Sequence, residues 1–409
     1  MGRKKAENTT NDNFNNLIEV DQEYDKIVIE KVSATKTQLQ KIDEVSKNEI
    51  KNLVKLYYET QRIRIMANNY VDKNDSAIIE RAFTPDVIDY KIIEKNIENQ
   101  LLAICKSQEV GRWLLSITGI GPVLAAGLFA NFDITKATYA SNFTSYAGLN
   151  DYNRPWLGKE KSKKILDDIL QGRKEVTDED VYEYSARTQW KYEVFLEGAY
   201  NQKTNKWSAT NLVKLASRPP YNADLKTLLW KVGESIKYQK NRPQSLYGKI
   251  YNERVIYELI KNEKGAYKEQ AEQILATKNI GKETNAYQAY IQGKLPLAHI
   301  YTRSSRFVQK IIVNHLFNEM WRVQYDTIPP KPYIIDHSEG KHNDIILPEV
   351  PYTKVTGEVV EKSFDTVPEY FDTLNWFIPE YEEILSAEEF ESLDQLKLRI
   401  LSDVKNNKM

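Results

Sequence analysis

One cysteine, Cys105, is all that the 409 residues contain. An internal disulfide needs two, and a Cys-x-x-Cys metal knuckle is equally excluded, so the chain suits a reducing compartment. No apolar run reaches the roughly 18 residues that mark a membrane-spanning helix. The first residues, Met1-Gly2-Arg3-Lys4-Lys5, lead into Asn- and Thr-rich sequence without the apolar stretch of a secretion signal. A cytoplasmic protein that touches no membrane is expected. There is no glycine-rich nucleotide loop, no Gly-x-Ser-x-Gly elbow and no internal repeat, and no cofactor is expected. Histidine is scarce too. His299, His315, His337 and His342 all fall late in the chain. Asp336, His337, His342 and Asp344 are the one place where a metal is conceivable, but their spacing matches no ligand pattern. No metal is expected.

What is present is enough to fold. Hydrophobic residues make up 41% of the chain, which allows a packed core, and its length allows two or three domains or one large helical body. The net charge of −1 hides an uneven distribution. From Thr353 onward, 13 acidic residues stand against 6 basic ones. Between residues 154 and 174 the balance reverses: Arg154, Lys159, Lys161, Lys163, Lys164, Arg173 and Lys174 outnumber Glu160, Asp167 and Asp168. A near-neutral chain with a basic middle can still present a phosphate-binding face. Equally, a lysine-rich proteome produces such clusters by chance.

Periodicity reads as mainly α: a multi-helix body with a small mixed C-terminal region. Residues 1–15 are polar and expected to be disordered. A helical pattern runs from about Val32 to Val71, with Ile50, Leu53, Val54, Tyr57 and Tyr58 on one stripe. Pro85 is expected to open a second helix, with Ile93, Ile97, Leu101, Ile104 and Cys105 on one side. Cys105 on that stripe reads as a small core residue. After the breaker Arg218-Pro219-Pro220, Asn222 or Asp224 can cap a helix carrying Leu225, Leu228, Leu229, Val232 and Ile236. Arg242-Pro243 is expected to end it. Further helices are expected over 246–261 and 267–277. Pro296 should start a long helix to about Tyr325, stopped by Pro329, Pro330 and Pro332. Short extended pieces are expected over 333–336 and 345–347, and a last helix over 387–404. The organisation reads as an N-terminal helical region over 16–112, a central domain over 113–325 with an insertion near 160–215, and a mixed acidic region over 326–409.

The segment from Leu114 to Ala126 is the most informative. Leu-Leu-Ser-Ile-Thr118-Gly119-Ile120-Gly121-Pro-Val123-Leu-Ala-Ala has the form of two helices joined by a Gly-x-Gly turn. The glycines allow backbone shapes that a side chain forbids, and Pro122 fits the first turn of a helix. The amides from Ile120 to Leu124 would then face outward with the positive end of the helix dipole behind them, an anion site suited to a backbone phosphate. Such a helix-hairpin-helix positions a duplex without reading its sequence. The plain alternative is a tight helical corner with no ligand. Ala125, Ala126 and Gly127 are small enough for close helix packing. On the long helix after Pro296, at roughly 100° per residue, His299, Arg303, Arg306 and Lys310 share one arc. That arc suits a phosphate track or an ordinary solvated face.

Residues 116–126, followed by Phe143-Thr144-Ser145-Tyr146-Ala147-Gly148-Leu149, resemble the C-terminal half of the DEDD-type, bridge-RNA-guided insertion-sequence transposases. Asn222-Ala223-Asp224-Leu225-Lys226 is similar to that family's Gly-Asn-x-x-Leu-Arg helix. Residues 297–306 are similar to its late Ala-x-x-Ala-Arg helix. The resemblance spans roughly 95–325. It implies a DNA partner and a place in a phage or other mobile element, with DNA recombination as the family's business. Two departures matter. The family's N-terminal nuclease fold, which holds metal through four acidic residues, has no counterpart in residues 1–95. The serine nucleophile that the family carries after Ala-Gly-Leu is missing from Asn150-Asp151-Tyr152-Asn153-Arg154-Pro155-Trp156-Leu157-Gly158-Lys159. No catalytic residue is therefore assigned.

Three functions stay open on sequence. The first is a transposase-like protein that binds DNA, before RNA, without cutting it. Its contacts would be Thr118, Gly119, Ile120, Gly121 and Val123 in the hairpin, Arg154, Lys159, Lys161, Lys163 and Lys164 in the basic segment, and Arg303, Arg306 and Lys310 on the late helix. The second is an active recombinase with a cryptic nucleophile such as Ser162. The third is a non-enzymatic scaffold that uses its tyrosine-rich middle and acidic tail to bind proteins. Self-association is left open.

Overall fold

A computed structural model describes residues 45–73, 76–150, 156–327, 329–330, 352–353, 359–360, 381 and 384–405. The architecture is mainly α. Helices α1 (Lys47–Lys73) and α2 (Ala77–Ser107) form a long antiparallel pair in which Arg64 meets Glu94 and Tyr70 meets Phe83. Ile50 and Val54 of the α1 stripe are buried, and Leu53, Tyr57 and Tyr58 pack beside them. Pro85 does not open α2 but lies inside it. It costs one backbone hydrogen bond and crowds the preceding turn. The pairing with α1 on both sides of Pro85 offsets that cost. On α2 the buried face is Ile92, Ile97, Leu101, Ile104 and Cys105, whereas Ile93 points to solvent. Burial pushes the Cys105 thiol up to about 12, so it serves as a core residue.

The helices α3 (Glu109–Ser116), α4 (Pro122–Asn131) and α5 (Ala140–Tyr146) follow. Gly111 lets α3 fold back onto the end of α2, since a Cβ there would lie 2.3 Å from the Cys105 carbonyl oxygen. Helix α10 (Ala223–Tyr238) is capped by Asn222, whose Oδ1 accepts from Leu225 N–H at 3.0 Å. It buries Leu225, Leu228, Leu229, Val232 and Ile236, and it ends at Tyr238, short of Arg242-Pro243. Then come α11 (Leu246–Glu263), α12 (Lys268–Thr277), α13 (Asn285–Ile291) and the 29-residue α14 (Leu297–Tyr325), with Pro296 as its cap. Helix α14 packs against α3, α5, α10 and α11. Gly233 admits Ser305 and Gln309 of α14 close to the α10 backbone.

One apolar core runs from Ile50 to Ile400 and crosses residue 112 without a break. Two C-terminal helices, Ala387–Glu391 and Leu393–Lys405, are separated at Ser392. The second is tied to α11 by Lys397–Glu253 and Arg399–Glu263 ion pairs. Between them and α14, Tyr352–Thr353 and Val359–Val360 form a two-stranded antiparallel pair. The expected disorder over 1–15, the start of the first helix near Val32 and the extended pieces over 333–336 and 345–347 lie outside the described residues.

Residues 158–216 build a core of their own. Helices α6 (Gly158–Leu170), α7 (Asp178–Thr188), α8 (Tyr192–Ala199) and α9 (Ala209–Ala216) enclose Leu166, Val181, Tyr184, Phe195 and Leu212. A minimal hairpin, Tyr200–Asn201 with Lys206–Trp207, joins α8 to α9. A capping box at Thr177 and Asp180 starts α7. The chain leaves and re-enters the main body at one place. Asn222 donates its backbone N–H to the Tyr146 carbonyl at 2.9 Å and its amide to the Tyr146 hydroxyl at 2.8 Å.

Candidate nucleic-acid interface

The Gly-x-Gly segment does form a turn between two helices. Gly119 has a φ of +102°, in the region that favours glycine, while Gly121 is extended (φ −85°, ψ 177°) and caps α4. The two glycines differ in surroundings. A Cβ on Gly119 would lie 3.1 Å from Gln239 and 3.2 Å from Ile236, and its carbonyl accepts a 2.6 Å hydrogen bond from Ser235. Gly121 is exposed, and a Cβ there would meet nothing within 4 Å.

The turn is therefore braced by the end of α10 on its Gly119 side and open on its Gly121 side. Ile120 and Val123 are buried, so their side chains are not offered to a ligand. The Ile120 amide is already used, donating to the Ile117 carbonyl at 2.9 Å. The row of amides expected from Ile120 to Leu124 is thus shorter: Pro122 has no N–H, which leaves Val123 and Leu124 in the first turn of α4. Thr118 is half-buried. Among the small residues of α4, Gly127 admits α1 and α10 closely: a Cβ on it would lie 2.7 Å from Leu228 and 3.5 Å from Val54.

In the basic segment, Lys159, Lys161, Lys163 and Lys164 all stand on the outer face of α6. None has an ion pair among the described residues. Arg154 lies outside the described residues. Arg173 is committed to Asp180 at 2.6 Å. Ser162, on the inner face of α6, is fully buried; its carbonyl accepts from the Tyr184 hydroxyl at 3.0 Å. Its Oγ has no hydrogen-bond partner, so it is neither activated nor reachable. Ser162→Ala should leave any strand chemistry unchanged. It should also stabilise the fold by roughly 1 kcal/mol, because an unsatisfied hydroxyl is removed. A melting temperature that falls instead would contradict this placement.

The arc on α14 is not an open stripe. Arg303 reaches the buried carboxylate of Glu258 with its Nε 3.1 Å from Oε2 and lies 4.7 Å from the Tyr267 ring centre. Arg254 of α11 takes the other oxygen, with Nε and Nη2 at 2.9 and 2.5 Å from Oε1, and stacks 4.5 Å from the Phe307 ring centre. The Tyr267 hydroxyl donates to the same carboxylate. Burial pushes the Glu258 pKa up, but the two guanidiniums and the Tyr267 hydroxyl outweigh it and hold the carboxyl below its usual range. His299 is lowered, first by burial and then by Arg303. Arg254, Glu258, His299 and Arg303, with exposed Arg306 and half-buried Lys310, line a recess of about 400 Å³. Sequence reasoning placed His299, Arg303, Arg306 and Lys310 side by side but missed Arg254, Glu258 and Tyr267. These three come from another helix and a turn, and only their approach to α14 gives them a role.

A second groove lies between α1, α4 and α10, where Lys51, Lys55, Arg62 and Lys231 mix with Glu59 and Asp224. Among the described residues no helix is long and apolar enough to cross a membrane, and no three His, Cys, Asp or Glu side chains are grouped to hold a metal. The metal candidate at Asp336, His337, His342 and Asp344 lies outside the described residues. No family model, curated protein or solved structure matches the chain.

Proposed function

We propose that this chain is a transposase-like DNA-binding protein of a mobile element, cytoplasmic, that holds the phosphate backbone without cutting it. The observation that carries the reading is the open side of the hairpin. An exposed glycine caps α4 there, nothing fills the space beside it, and the first-turn amides sit at the positive end of the helix. The four exposed lysines of α6 add a second surface for phosphates. DNA is preferred to RNA on the transposase resemblance alone. The buried Ser162 weighs against the active-recombinase alternative.

Binding to duplex, single-stranded and junction DNA, followed by fluorescence anisotropy across a salt series, tests the reading. Affinity should fall steeply with salt and depend weakly on sequence. Replacing Lys161 and Lys164 by glutamine should reduce the slope of log K against log salt by about 2. Absence of binding to all three DNAs at low salt would sink the proposal.

A scaffold role has one observation in its favour. Tyr182 and Tyr192 stack at 4.1 Å on the surface of the 158–216 unit, with Tyr182 exposed. Loss of a protein partner on Tyr182→Ala, with DNA binding absent from the parent, would favour that role instead.

A further inference from the structure

We propose that the recess between α11, α12 and α14 binds the phosphate of a nucleotide, with Arg306 receiving it and Glu258 fixing Arg254 and Arg303 in the wall. Charge favours an anion there. Four cations, Arg254, Arg303, Arg306 and Lys310, line the recess, and among the described residues the carboxylate in its lining is that of Glu258. That carboxylate is already saturated: Oε1 takes Arg254, and Oε2 takes Arg303 and Tyr267. It has nothing left for Arg306, which is exposed and has no ion pair among the described residues. Positive charge gathered in a partly dehydrated recess attracts an anion more strongly than the same charges spread over an open surface.

The wall is also preorganised. The Arg254 and Arg303 guanidiniums are held by ion pairs and by the Phe307 and Tyr267 rings, so little side-chain freedom is lost when a ligand arrives. Size points the same way. A recess of about 400 Å³ exceeds what a bare inorganic anion fills and falls within the range of small-molecule pockets. Beyond the cations, Gln270 and Thr302 offer hydrogen bonds, and Leu149 and Phe307 offer apolar surface. This is a wall suited to a nucleoside attached to the phosphate. The nucleotide is either free or the phosphorylated end of a strand; only the strand-end source leans on the DNA-binding reading.

Calorimetry with the full chain separates these cases. Adenosine 5′-monophosphate should bind and adenosine should not. If the source is a strand end, a 5′-phosphorylated single-stranded oligonucleotide should bind about tenfold tighter than its 5′-hydroxyl twin. If the source is a free nucleotide, the two oligonucleotides should bind alike. Arg306→Glu, at an exposed position, should abolish the phosphate-dependent heat while circular dichroism stays unchanged. Arg306→Gln should weaken it less. Gly121→Asp should leave it intact, so failure of the hairpin reading and failure of this one are seen separately. The proposal is overturned if neither the nucleotide nor a terminal phosphate adds affinity. It is also overturned if Arg306→Glu binds like the parent, or if polyglutamate occupies the recess and the nucleotide does not.

Discussion

Gly121→Asp should abolish or weaken DNA binding by about tenfold or more, equivalent to about 1.4 kcal/mol, while leaving the fold as stable as before or slightly more so. The backbone there is extended, which any residue adopts, and there is room for the side chain. Aspartate is a favoured helix cap. Its carboxylate would accept from the first-turn amides of α4, adding a few tenths of a kcal/mol over glycine. The same carboxylate would sit where a phosphate must approach and would repel it. Stability and affinity should therefore move in opposite directions, a combination that a purely structural hairpin does not produce. Gly119→Val behaves differently. A φ of +102° and two side chains near 3.1–3.2 Å make it a folding mutation, costing about 2 kcal/mol through backbone strain. Thermal melts and anisotropy on both variants check the pair. Unchanged DNA affinity in a folded Gly121→Asp protein would remove the hairpin from the interface.

Glu258→Gln should lower stability by about 3 kcal/mol, the lower end of what removing one partner of a buried ion pair costs. The lower end applies because the Arg254 and Arg303 side chains keep 22% and 36% of their exposure and can rehydrate in part. The effect should depend on pH. The carboxyl is held below its ordinary range in the folded state, so its contribution is complete above the unfolded carboxylate pKa. It is lost as pH falls through the depressed folded value. The gap between parent and variant in urea melts should therefore be full at neutral pH and close only under acid. A gap that stays constant into acid would mean that Glu258 acts through packing rather than charge.

Local features were the ones legible in the sequence. The α1 stripe, the Asn222 cap, the Pro296 start of α14 and the Gly119–Gly121 turn each depend on residues a few positions apart. The interior position of Pro85 was hidden because its tolerance depends on the partner helix α1. The helices of the 158–216 unit were hidden because their buried residues are few and mixed with surface Tyr, Trp and Glu. The Thr177–Asp180 box was the readable signal there. In the hairpin, sequence supplied the turn but not its orientation. That Ser235 takes the Gly119 carbonyl follows from α10, which lies 116 residues away. The recess was half legible for the same reason, since α14 carries its cations in one arc but the anchoring carboxylate comes from α11.

The hydrogen bonds between Tyr146 and Asn222 make the chain's departure and return a single doorway. Trp156 reinforces it from the far side, its indole N–H donating to the Ser217 carbonyl at 3.0 Å. A segment with touching ends is a cassette: it can be lengthened, exchanged or excised while the surrounding core keeps its topology. The α6 lysines travel with that cassette, and the hairpin and the α14 recess stay with the body. Descent with modification can therefore alter the lysine-bearing face of α6 without disturbing the hairpin or the recess.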